Sequence, residues 1–353
     1  MASTTQTETQ LQNLAAVLES QGAKLKTVVR NIPKPSPDEI VVRNYAIAAN
    51  PVDWKIQDYG FAIKTYPTVL GSDGCGIVTD VGPSVTKFKK GDRVTGFGGV
   101  IGTDNPDHGS WQTYTVLRDI ATTKIPDFMS FEQGSVFPMA MATSAMALFT
   151  NLRIPLPKSS IAPQNSGFLI WGASSSVGTA AVQLARNLGF KVFATASQTH
   201  HQYLKSLGAF EVFDYHDSDV VSKIVASAKM AGTPISLGFD CVSEGTTSQQ
   251  SAEILLDSGG KGGKLCLVLP WSGQGEKPDG VEISQTEAYR AFVNQAEMGK
   301  WFFNEYLEKA LQEKSILSAP EIQIVEGGID GAQKALDLSK KGVSGKKLVV
   351  KVE

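Results

Sequence analysis

The sequence predicts an α/β protein in which a β-rich unit is followed by a doubly wound parallel sheet. Three observations carry that prediction. Residues 27–123 read as short β-branched runs bounded by Gly, Pro and Asp; beyond Gly167 apolar strands alternate with helices; and a turn rich in Gly and Ser joins the first of those strands to its helix. At 353 residues the chain has room for two domains of ~150 residues. Its 42% apolar content can fill both cores.

Taken in order, Ile40–Ile47 and Gly76–Val81 have strand composition, and Lys90-Gly91-Asp92 is a turn feeding the strand Arg93–Phe97. Such spacing predicts a partly open barrel or sandwich. Glu132–Leu152 carries a helical run of Ala, Met and Leu, entered through Pro126, Asp127 and Ser130. A Pro/Ser/Asn loop spans residues 155–167. Strands at Phe168–Trp171, Lys191–Thr195, Glu211–Phe213, Leu237–Asp240 and Lys264–Val268 then alternate with helices, among them Val177–Leu188 and His201–Leu207. Trp271–Gly280 reads as a loop near the cleft. The tail predicts a helix over Trp301–Glu313, a strand at Glu321–Val325, a helix near Gly331–Lys340 and a strand at Lys346–Val352. The expected division is 1–152, 153–300 and a return segment at 301–353.

Composition excludes several classes of function. The 33 basic and 35 acidic residues leave a net charge of −2 without long blocks of either sign, which argues against nucleic-acid or anionic-membrane partners. Cys75, Cys241 and Cys266 are too scattered for a disulfide framework or a cysteine-rich zinc lobe. Met1–Gln10 is polar and free of Arg, unlike a leader. The apolar stretch Val136–Phe149 is shorter than the ~20 residues that span a bilayer. The expected location is the cytoplasm.

The turn Trp171-Gly172-Ala173-Ser174-Ser175-Ser176-Val177-Gly178 carries the chemistry. Gly172 permits a tight turn and Gly178 close helix–sheet packing. The following helix N-terminus then offers backbone N–H groups and its dipole to a pyrophosphate. Ser174 and Ser175 stand where a middle glycine is usual, and their hydroxyls can donate. At the end of the next strand, residues 194–201 hold no carboxylate to receive a ribose 2′-hydroxyl. Ser197, His200, His201 and nearby Lys205 suit a 2′-phosphate instead, which favours NADPH.

Several ordered segments together resemble the medium-chain dehydrogenase/reductase superfamily. They are Asn50-Pro51-Val52-Asp53-Trp54-Lys55, Pro67–Gly76, Lys90–Val94, the glycine turn, Lys205–Ala209 and Val212–Tyr215. The resemblance implies a GroES-like catalytic domain completed by the return segment, with a Rossmann domain inserted. Zinc-using members carry Cys at the 50–55 segment and Gly-His-Glu where this chain reads Gly71-Ser72-Asp73. Ser72 cannot replace a soft ligand, so a zinc-independent enzyme is expected. Zinc-free relatives reduce carbonyl-conjugated double bonds or quinones. Asp53-Trp54-Lys55, the Ser197 loop and Phe213-Asp214-Tyr215 most resemble the fungal trans-acting enoyl reductases that partner polyketide synthases.

That resemblance implies Lys55 and Thr143 as catalytic residues. It implies Pro51, Asp53, Trp54, Gly172, Ala173, Ser174, Ser175, Ser176, Val177, Ser197, His200, Tyr215, Val242 and Leu269 as NADPH contacts. Lys55 would donate to an enolate oxygen or to the ribose hydroxyls; Thr143 or Ser144 would hold the carboxamide or the substrate carbonyl. The α-carbon proton comes from Lys55, Tyr59 or water. Alternatively, Lys55 is a surface lysine, Thr143 bonds back to its own helix, and Asp53 caps a helix beginning at Trp54. Cys75 reads as a small buried residue, His108 as structural or solvated, and Phe61 and Tyr66 as pocket walls. The expected substrate is a small-molecule or carrier-bound enoyl compound, with a polyketide synthase as partner and a monomer or homodimer as the unit. A quinone or enone reductase in detoxification and a non-catalytic NADPH-binding sensor are the alternatives.

Overall fold

The computed structural model describes residues 12–157, 164–273 and 275–352. The polar N-terminal decapeptide and the middle of the 155–167 loop lie outside them. Glu39–Ala48, ten residues with eight buried, is the axis of the first sheet. Asp73–Val81 pairs antiparallel with it along nearly its whole length, followed outward by Arg93–Phe97 and Thr122–Lys124. Its other edge is shared: Tyr114–Arg118 pairs with residues 39–43, and Lys346–Lys351 pairs with 46–48. Glu321–Val325 then adds parallel to Lys346–Lys351. The last strands of the chain thus complete the sheet begun by the first residues.

The second sheet is wholly parallel and six-stranded. Its order is Glu211–Phe213, Lys191–Thr195, Gly167–Trp171, Ile235–Asp240, Gly263–Leu267 and Val281–Gln285. In chain order these are strands 3-2-1-4-5-6 of a doubly wound fold. Its topological switch point, the crevice where ligands bind, lies between Gly167–Trp171 and Ile235–Asp240. One apolar core joins the two sheets. It runs from Ala48 and Phe97 through Met141 and Ala145 to Ile170, Ala181 and Ala194.

The elements differ from expectation at specific points. The run expected as one helix over 132–152 is broken into Phe131–Gly134, Pro138–Ala145 and a π-helical Met146–Asn151. Pro138 is the cause: it lacks an N–H and starts a fresh helix at its first position. The Trp301 helix begins earlier, at Ala296, and passes through a π-helical Phe302–Leu307 before ending at Gln312. The helix expected from Trp54 begins at Pro51, with Asn50 as N-cap. Asn13–Leu18 and Val281–Gln285 are additional strands, too short and too mixed in pattern to stand out. Among the described residues no helix is long and apolar enough to cross a membrane.

Candidate active site

The switch point is built from two turns. Gly172 adopts φ +73°, and a Cβ there would meet the Val242 side chain at 2.4 Å, so the first turn packs directly on the loop after Ile235–Asp240. A Cβ on Gly178 would lie 2.4 Å from the Gly172 carbonyl oxygen. Only glycine lets the helix Ser176–Asn187 approach so closely. Ser175 caps that helix, its Oγ accepting from the Gly178 N–H at 3.0 Å. Its own hydroxyl hydrogen is left free to donate. Ala173 is buried, while Gly172, Ser174, Ser175, Ser176 and Val177 are half-buried at the rim.

The second turn is held by Asp240, a residue that sequence reasoning did not single out. Its buried carboxylate accepts from the N–H groups of Val242 and Ser243 at 2.9 and 2.8 Å and from the Thr247 hydroxyl at 2.7 Å. Burial pushes its carboxyl above the usual range, against those hydrogen bonds. The signal was available as an Asp closing an apolar run before Ser and Thr. Leu269 follows the neighbouring strand, half-buried.

Two helices bring the proposed catalytic residues to this crevice. Pro51–Tyr59 carries Lys55, whose Nζ lies 3.8 Å from Glu244 on the Val242 loop and 5.6 Å from the Trp54 ring centroid. The Trp54 indole N–H is buried without a partner among the described residues, and Pro51 is exposed at the helix start. Pro138–Ala145 carries Thr143, and the adjacent Ser144 hydroxyl donates to the Val177 carbonyl at 3.2 Å, tying that helix to the glycine turn. Thr143 donates its hydroxyl to the Met139 carbonyl at 2.6 Å. The back-bond read as an alternative is therefore made, and it leaves Thr143 an acceptor rather than a donor.

The Asp53 side chain is committed within the protein. It is 1% exposed and its Oδ2 accepts from the Asn50 N–H at 3.0 Å and the Trp111 indole at 3.3 Å. It fastens the first helical turn, its carboxylate facing inward. Burial, with the Asp73 charge adding, pushes its carboxyl up to about 7 against the Asn50 hydrogen bond.

Among the residues expected at the 2′-phosphate, Ser197 Oγ and Tyr215 OH are 3.4 Å apart, and His200 Nε2 lies 2.9 Å from Ser344 Oγ. A cavity of about 280 Å³ opens beside them, lined by Gln198, His201, Val212, Phe213, Asp214 and Asp217. The expected freedom from carboxylates holds only for the strand's own end. Asp214, from the neighbouring strand, accepts from the Gln198 N–H at 3.3 Å and contacts the His216 ring at 2.6 Å.

A zinc ion does not suit the residues where zinc-using enzymes of this fold bind theirs. Ser72 and Asp73 are fully buried, Asp73 Oδ1 accepts from the Met139 N–H, and Oδ2 is taken by Asn50 Nδ2 and the buried Lys347 ammonium, both at 2.8 Å. A carboxylate with both oxygens engaged and its charge met by a buried ammonium is a poor metal ligand, and no Cys or His stands at 50–55 or 71–73. The glycine cradle, by contrast, suits a dinucleotide. Cys75 is buried and desolvated, which pushes its thiol well up and makes it inert. His108 is structural: it lies 2.9 Å from Glu39, whose carboxyl, despite burial, is brought down to about 2 by hydrogen bonds from His108 and the Ser36 N–H.

Comparison with known proteins agrees with this architecture. Residues 36–127 match the alcohol dehydrogenase GroES-like domain and 176–268 the zinc-binding dehydrogenase domain. The chain is 38% identical over 340 residues to trans-enoyl reductase tndF of Aspergillus flavipes, covering 95% of this chain and 98% of that one. It is 42% identical over 251 residues to trans-enoyl reductase tazE of Aspergillus terreus, covering 70% and 82%. The crystal structure of CurK enoyl reductase superposes with a TM-score of 0.76 at 21% identity, over 97% of this chain and all of that one.

Proposed function

This chain belongs to the medium-chain dehydrogenase/reductase family, and from that premise we propose that it reduces carbonyl-conjugated double bonds with NADPH, without zinc, in trans to a polyketide synthase. It is an oxidoreductase, and members of its family bind nicotinamide cofactors. The observation that carries the zinc-free reading is the Asp73–Lys347 pair: a buried ammonium already neutralises the carboxylate at the position where a metal would need a ligand. The names of the fungal relatives support enoyl reduction as the reaction.

Bound NADPH would supply the hydride for the β-carbon. The chain's residues do the rest. Ser174, Ser175, Ser176 and Val177 cradle the pyrophosphate at the helix N-terminus, and Ser197, His200 and Tyr215 meet the 2′-phosphate. Lys55 donates to the carbonyl oxygen as negative charge develops there. Thr143, its hydrogen already committed to Met139, accepts from the carboxamide. A proton reaches the α-carbon from Lys55, Tyr59 or water.

The test is cofactor oxidation against a panel of enoyl thioesters, enones and quinones with a chelator present. Turnover that survives chelation and prefers thioesters supports the reading. Quinone preference moves it to detoxification, and binding without turnover to a sensor. Asp214 is a feature that favours NADH, so both cofactors are titrated at equal salt; equal affinity would overturn the 2′-phosphate assignment.

A further inference from the structure

Three segments distant in sequence converge on one buried carboxylate. Asp73 opens the strand Asp73–Val81 and its side chain is fully enclosed. Its Oδ1 accepts from the Met139 N–H at 2.6 Å, and its Oδ2 accepts from Asn50 Nδ2 and Lys347 Nζ, each at 2.8 Å. Lys347 also donates to Asn50 Oδ1 at 2.6 Å, closing a ring of charged and polar groups. The ammonium offsets the cost of burying the carboxylate, and every Asp73 oxygen is engaged.

Each partner begins an element that matters. Asn50 is the N-cap of Pro51–Tyr59, one turn before Lys55. Met139 is the second residue of Pro138–Ala145, and its carbonyl holds the Thr143 hydroxyl at 2.6 Å. One side of the Met139 residue is therefore fixed by Asp73, while the other fixes Thr143. Asp73 also ties both helix starts to Lys347, on the last strand of the chain.

We propose that Asp73, neutralised by Lys347, is a positioning residue that sets the helix bearing Lys55 and the helix bearing Thr143 relative to each other. It touches neither cofactor nor substrate. The proposal rests on the roles given above to Lys55 and Thr143. Its physical content is that geometry shared by two catalytic side chains must be held to within a fraction of an ångström to keep its effect on rate.

The test compares the full-length wild type with Asp73→Asn and with the double variant Asp73→Leu/Lys347→Met. The double variant removes both buried charges together, so its folding is not penalised by a lone ion. Hydrogen exchange over residues 50–59 and 138–145 reads the clamp directly, with 93–97 as an internal reference. Both helices are expected to exchange about tenfold faster in the double variant, with the reference unchanged. NADPH affinity is expected within about threefold of wild type while kcat falls about tenfold or more, a split that a general loss of stability does not produce. Unchanged exchange in either helix, or an unchanged kcat in a folded double variant, overturns the proposal. If the wild type turns over no acceptor, the proposed reaction fails, and the exchange measurement still decides the clamp.

Discussion

Lys55 and Glu244 face each other across the cleft at 3.8 Å, one on the helix Pro51–Tyr59 and the other on the loop held by Asp240. The carboxylate is largely exposed, so the pair contributes little to stability, about 0–1 kcal/mol for pairs of this kind. Its effect is local: it draws the ammonium toward the loop after Ile235–Asp240 and leaves a carboxylate beside the site proposed for the cofactor.

Replacing that charge is expected to help the cofactor. In Glu244→Gln the melting temperature stays unchanged and NADPH binds up to about fivefold more tightly, since ~1 kcal/mol of repulsion is relieved. Fluorescence titration of the cofactor checks this. Weaker binding would mean that Glu244 contacts the ribose hydroxyls instead.

Lys55→Ala removes the proposed donor to the developing oxyanion. Turnover is expected to fall about 10²-fold, as loss of one such donor does elsewhere, with NADPH affinity within about threefold of wild type. Steady-state kinetics with a direct binding titration separates the two effects. An unchanged rate removes Lys55 from the mechanism.

Asp53 makes stability depend on pH in a direction opposite to a salt-bridged carboxylate. Its carboxyl is raised from 3.8 to about 7, mainly by burial. Between those values the folded state binds more protons than the unfolded one. Stability therefore falls as pH rises through this window, and the loss is complete above about 7. Asp53→Asn keeps an oxygen for the Asn50 N–H and the Trp111 indole but carries no charge. It is expected to match wild type only below about pH 4, where Asp53 is protonated in both states, and to melt higher near pH ~8. Parallel melting curves across that range would show that Asp53 titrates normally.

The glycines of the nucleotide turn are not equivalent to those of loops. A Cβ at Gly178 meets backbone at 2.4 and 2.6 Å, atoms that cannot rotate away. Gly178→Ala is expected to cost about 3 kcal/mol, as overpacking into rigid neighbours does. Gly232→Ala, at φ +61° with open space around it, meets only backbone strain of about 1 kcal/mol. Chemical denaturation of the two variants gives the comparison; equal costs would mean the helix shifts to make room.

The parallel sheet was legible because apolar strands and helices alternate at regular spacing, and Gly172 and Gly178 announce the turn between the first pair. Val281–Gln285 was not, because its polar alternation looks like loop once a Gly/Pro stretch precedes it. Asp53 shows what adjacent letters do not carry: it stands beside Trp54 and Lys55 in sequence, and a helical turn rotates its carboxylate inward to Asn50 and Trp111. The contacts of Lys347 and of Asp214 were hidden for a related reason. Each reaches its neighbours from a different strand, and spacing along the chain carries no signal for a contact such as Asp73–Lys347.

The strand Lys346–Lys351 lies between Glu39–Ala48 and Glu321–Val325, so the first sheet has an open seam until residues 346–351 have left the ribosome. The parallel sheet, complete by Gln285, can assemble earlier, which makes the middle of the chain the first part able to close its own core. Until Lys347 arrives, Asp73 has no cation, and the apolar edge at Ala46–Ala48 lacks its partner. One segment therefore both seals the sheet and supplies the charge at its centre, and a nascent chain stalled before residue 346 would expose a pairing edge to its neighbours.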